Sequence, residues 1–176
     1  AEVGNAMAIL LPIIIAILIL SSSSWIEPLL FILTIGISIL INMGTNIFFG
    51  EVSFMTNSVS PILQLAVSLD YAIFLLHSFA DNRKKYGDVN EAMRHAVKES
   101  ASTIAASAAT TLFGFLALTF MDFQIGADLG WNLAKGIVLS FVTTMVFLPA
   151  LTLCTVRLID KTRHRRLMPN FKNVNK

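Results

Sequence analysis

Apolar residues fall in five long runs separated by short polar stretches. The runs cover about 6–20, 26–43, 61–79, 102–121 and 130–156. A helix needs about 20 mostly apolar residues to cross about 30 Å of hydrocarbon. In lipid each segment must satisfy its own backbone, so each run is predicted to be a helix. The first is short for a crossing and is continued by the serines at 21–24. Ser60 is placed to cap the third helix, with Pro61 at its first helical position. Ahead of the fourth run, Asp88-Val-Asn-Glu91 has the spacing of a capping box. Val89, Ala92, Met93, Ala96 and Val97 then follow helical spacing, with Glu91, Arg94, His95 and Lys98 on the other face. This pattern predicts a short amphipathic helix, lying at the membrane interface or packed as a connector under the bundle. The fold class expected is all-α: a polytopic membrane bundle of five transmembrane helices (1–157) with a short cytoplasmic interfacial helix. A basic cytoplasmic tail or linker (158–176) follows.

Composition supports a membrane reading. Of 176 residues 55% are hydrophobic and only 14% are charged, far from soluble usage. The placing of the cations says more than the net charge of +2. Five lysines and arginines lie between Arg83 and Lys98, seven between Arg157 and Lys176, and Lys135 is the remaining one. Two crossings separate the two basic segments, so both fall on one side, the cytoplasmic one by the positive-inside rule. The turns at 42–59 and 122–129 then lie outside, and they hold no Lys or Arg. A basic tail beside a span marks the cytoplasmic face and is not read as a nucleic-acid patch. Five crossings put Ala1 outside, and a chain that opens there without a basic leader is expected to have lost an upstream span. Cys154, alone of its kind, excludes an internal disulfide and is expected to be a buried thiol.

One residue breaks the apolar pattern in the middle of the third run: Asp70. A carboxylate at mid-membrane costs roughly 2.5–3.5 kcal/mol on insertion scales, and such residues mark proton or ion pathways. Its helical face carries Leu63, Ala66, Val67, Ile73, Phe74 and His77. His77 sits roughly 10 Å along the helix, either an inner station of a proton path or an interfacial side chain reaching for water. Tyr71 points about 100° away. It is a candidate hydrogen-bond partner or an ordinary packed aromatic. On the fourth run Thr103, Ser107, Thr110 and Gly114 form one small polar stripe, flanked by Ala106 and Thr111. Such stripes admit close helix packing and cross-helix hydrogen bonds. Lys135 is expected to snorkel to the outer interface. There is no GxxxxGK[ST] run, and the histidines have no metal-ligand spacing with Cys154. No Ser/His/Asp nucleophile set converges, so an enzyme is not expected. No cofactor is expected either, protons serving as the coupling ion.

The segment Ala66-Val-Ser-Leu-Asp-Tyr-Ala-Ile-Phe-Leu75 resembles the fourth-span motif of the resistance-nodulation-division superfamily. The branch it is most similar to is the MMPL type (mycobacterial membrane protein large) of exporter, in which Gly is usual where Ala66 and Ser68 stand. Trp25-Ile-Glu-Pro28 looks like the junction of the second and third spans, and Leu148-Pro149-Ala150-Leu151 like the end of the sixth. The resemblance covers about 7–163 and implies spans two to six of one half of a twelve-span protein. It implies that Asp70 takes and releases a proton and that Tyr71 hydrogen-bonds an opposing carboxylate; the reading of the helix faces adds Ser107, Thr110, Thr111 and His77 as candidates in support. The implied partners are the lipid bilayer, the other half-bundle and a lipid or amphiphile substrate. Inward proton flow would drive export. Two other readings share the outline: a sterol- or lipid-sensing module of five spans, and a SecDF-like protein-export accessory.

Overall fold

The computed structural model describes residues 26–46, 53–120 and 124–161, with isolated positions between 12 and 24. Among these residues there are four long helices and no β-strand: α1 (Glu27–Thr45), α2 (Phe54–Asn82), α3 (Val89–Leu118) and α4 (Gln124–Lys161). Each is long and apolar enough to cross a membrane. A fifth crossing rests on 6–20, most of which lies outside the described residues, although Pro12, Ile13, Ile15, Ala16 and Ile19 are helical. The tail beyond Lys161 also lies outside them, and α4 runs past the expected end of the bundle at 157.

Two expected boundaries are corrected. The third run does not begin at Pro61; α2 starts at Phe54 and carries Pro61 inside it. Ser60 is therefore no cap. It is buried and donates to Asn132 Oδ1 of α4 at 2.7 Å, and the helix runs on through Pro61. Asp128 of α4 caps this end from outside, its Oδ2 accepting from the Ser53 amide at 2.9 Å. The amphipathic segment, likewise, is no separate helix. It is the first third of α3, a single helix of 30 residues, about 45 Å long at 1.5 Å per residue. Asp88 does cap it, accepting from the Glu91 amide at 3.1 Å. The helix continues because Ala92, Met93, Ala96, Ser100, Ile104 and Ala108 form one buried stripe through the expected break.

Phe31 and Ile35 of α1, Leu75 of α2, Ile104 of α3 and Ile137 and Leu148 of α4 fill the core. Leu29, Ile32, Leu33, Leu40 and Ile41 of α1 face outward, as a lipid-facing surface requires. Three of the exposed aromatics stand at one end: Phe54 opens α2, Phe120 follows α3, and Trp131 lies early in α4, where a bilayer interface favours them. α3 and α4 approach closely at Gly130, where a Cβ would sit 2.6 Å from the Phe115 carbonyl oxygen. Cys154 is exposed, contrary to the expected buried thiol, because it falls on the outward face of α4.

Candidate functional site

Asp70 stands near the middle of α2, on its outward face. With Tyr71, Ile73, Phe74, His77, Thr103, Ile104 and Ser107 it lines a cleft of about 260 Å³ between α2 and α3. Phe74 is 43% exposed at its rim. Four of the expected site residues, Asp70, Tyr71, His77 and Ser107, thus share one cleft. Among the described residues no hydrogen bond joins Asp70 to the α3 hydroxyls. Thr110 is outside the cleft, exposed, and its hydroxyl donates back to the Ala106 carbonyl at 3.0 Å. Thr111 does the same to Ser107 at 3.0 Å. Back-bonding spends each hydroxyl proton inside α3, leaving lone pairs outward.

Tyr71 lines the same cleft but is buried, at 2% exposure. The Thr111 side chain is its neighbour, yet no described residue completes a hydrogen bond to the phenol oxygen. Thr111 donates its own proton to Ser107 and keeps lone pairs that can accept from this phenol.

The opposite face of α2 carries a polar cluster. Its residues stand four apart on three helices: Ser38, Asn42 and Asn46 near α1; Ser60, Gln64 and Ser68 on α2; Asn132, Gly136 and Ser140 on α4. That repeat was readable in the sequence, where it was hidden among apolar neighbours and carried no charge. Gln64 is its hub. Its Oε1 accepts from Asn42 Nδ2 at 2.8 Å. Its Nε2 faces Ser38 Oγ at 3.0 Å, Ser140 Oγ at 3.2 Å and the Gly136 carbonyl at 3.3 Å. Gly136 is required by space: a Cβ there would lie 2.9 Å from Asn42 Nδ2 and 3.1 Å from Gln64 Cδ. Lys135 joins the outer end. Its Nζ donates to the Asn42 carbonyl at 3.2 Å and to Asn46 Oδ1 at 2.5 Å. Besides any reach for water, it therefore supplies the cation that the last turn of α1 lacks.

At the other end the two basic segments meet. Arg83 clamps Asp160 through both guanidinium nitrogens, at 2.6 and 3.0 Å. That hydrogen bonding, opposed by partial burial and helped by the charge, holds the arginine above its ordinary pKa. Asn82 Nδ2 donates to Glu99 at 2.9 Å, and Tyr86 stacks on His95 with centroids 4.3 Å apart. Among the described residues no cluster of three or more His, Cys, Asp or Glu could hold a metal ion.

The sequence matches the MMPL family profile over residues 2–172. It is 29% identical over 160 residues to the transport protein MmpL12 of Mycobacterium tuberculosis, covering 89% of this chain and 14% of that protein. The sulfolipid-1 exporter MmpL8 of the same organism is 28% identical over 166 residues, with 89% and 14% covered. A membrane protein of Methanocaldococcus jannaschii is 34% identical over 112 residues, or 64% of this chain and 27% of its own. The chain thus spans less than a third of each of these relatives. No solved structure matches it.

Proposed function

Since the chain belongs to the MMPL family, and its relatives are membrane proteins and transporters, we propose that it forms half of the proton-driven core of an exporter of lipids or other amphiphiles. In this reading Asp70 binds a proton from one side of the membrane and gives it up to the other. The observation that carries it is a lone carboxylate at mid-span, in a cleft with Tyr71 and His77 and with only neutral side chains on the α3 wall.

A charge there is costly, so the two protonation states call for different surroundings. Ionised, the carboxylate accepts only; protonated, it donates as well. Its state can therefore bias how α2 and α3 pack against the rest of the intact protein. The enclosed Tyr71 hydroxyl is a donor for a carboxylate brought up by the facing half. His77 is the inner station, and Ser107 and Thr111 line the route. Thr110 is assigned to the helix contact beside it. The basic end of the bundle, at Arg83 and Asp160, is assigned to the cytoplasm. Substrate passage belongs to parts of the protein beyond this chain.

Export by the intact protein in proteoliposomes tests the proposal. Asp70→Asn is expected to abolish gradient-driven export while the protein folds and inserts normally. Export at the wild-type rate by that variant would overturn it.

A further inference from the structure

We infer that Gln64 is a positioning residue: the polar cluster it centres locks the rotation of α2 against α1 and α4 and so turns Asp70 into its cleft. The inference rests on the relay reading for its functional consequence, but the lock is a matter of geometry alone.

Carbonyl groups, which only accept, fix the direction of two of the cluster's hydrogen bonds. A carbonyl cannot donate, so the Ser68 hydroxyl gives its proton to the Gln64 carbonyl, 2.6 Å away. Ser68 Oγ is also the donor toward Ser140 Oγ, 2.6 Å away, so its one proton is shared between two oxygens. Ser38 Oγ and Ser140 Oγ lie 3.2 Å apart, and either can donate. The Gly136 carbonyl only accepts, which fixes the Gln64 amide with its nitrogen toward α4. Ser38, Ser140, Ser68 and the Gln64 side chain thus tie α1, α4 and α2 together through one set of buried contacts.

Its place on α2 gives it leverage. Ser60, Gln64 and Ser68 are buried, at 3%, 1% and 1% exposure, and occupy one stripe at a spacing of four. Asp70 is two residues beyond Ser68, about 200° around the helix. Whatever holds Ser68 against Ser140 holds Asp70 pointing the opposite way. No charged group of α3 lines the cleft to do this; its wall is Thr103, Ile104 and Ser107, and the titratable groups facing Asp70 are Tyr71 and His77 of its own helix.

The test uses the intact protein with Cys154→Ser and a cysteine pair replacing Phe74 and Thr103 on the two cleft walls. Gln64→Leu is expected to cut the yield of a short bifunctional cross-linker between them at least threefold. In proteoliposomes it is also expected to lower export per folded molecule at least tenfold and to move the midpoint of the export–pH profile. An unchanged cross-linking yield overturns the lock. An unchanged yield and pH profile, with export reduced only in proportion to folded protein, overturns it equally. Should Gln64→Leu fail to fold, Ser68→Ala removes one hydroxyl and is read the same way. The cross-linking arm does not depend on the relay. A wild-type export rate in Asp70→Asn would sink the relay reading while leaving the lock to be judged by cross-linking alone.

Discussion

At the scale of single residues, the position that decides most is where a side chain would not fit. Gly136 has Asn42 Nδ2 and Gln64 Cδ where a Cβ would go, at 2.9 and 3.1 Å. Gly136→Ala is expected to destabilise the bundle by about 1–3 kcal/mol, as overpacking does, seen as a lower thermal midpoint in detergent. Gly114 is the reverse case, with nothing within 4 Å of its would-be Cβ. Asp70 could be picked out from sequence because a charge inside an apolar run needs no structure to be noticed. The Ser60–Gln64–Ser68 stripe could not be weighed in the same way. Neutral polar residues are cheap enough in a span to look like helix glue, and only the facing Asn132 and Ser140 show what they do. The partners of Lys135 were hidden for a related reason: Asn42 and Asn46 stand some ninety residues away in the chain.

At the scale of elements, helix existence was legible and helix ends were not. The apolar runs gave α1 to within a turn. They missed the start of α2, because Pro61 reads as a helix start while a membrane helix tolerates an internal proline when neighbours hold its backbone. They divided α3 in two, because the charged face of its first third hides the small-residue stripe that continues underneath. The contact that ties the ends of α2 and α4 together is modest. Arg83 and Asp160 have side chains 28% and 46% exposed, so a double-mutant cycle with alanine is expected to give roughly 0.2–1 kcal/mol of coupling, falling with salt. Asp81 and Lys84 are more exposed still and are expected to show none. A raised arginine pKa contributes its stability in full below the ordinary arginine value and loses it only as pH climbs through the raised one. That window lies above about pH 12, so alkaline titration to roughly pH 11 is expected to leave the Arg83 contact intact.

At the scale of the whole molecule, the bundle has a closed side and an open one. Its polar cluster is enclosed by α1, α2 and α4, while the outer face of α3 presents Thr103, Ser107, Thr110, Gly114 and a Phe113 that is 69% exposed. Gly114→Leu has room within this chain and is expected to leave its own thermal stability unchanged. In the intact protein it is expected to reduce export severalfold, if the facing half packs on that stripe. Unaltered export in that variant would place the contact elsewhere. The central claim is that hydrogen ions cross at Asp70, and the most direct reading is the internal pH of proteoliposomes loaded with a pH-sensitive dye. With an inward proton gradient and substrate present, the wild-type protein is expected to acidify the lumen, and Asp70→Asn to show only the leak of protein-free vesicles. Acidification by the Asp70→Asn protein at the wild-type rate would contradict the claim outright.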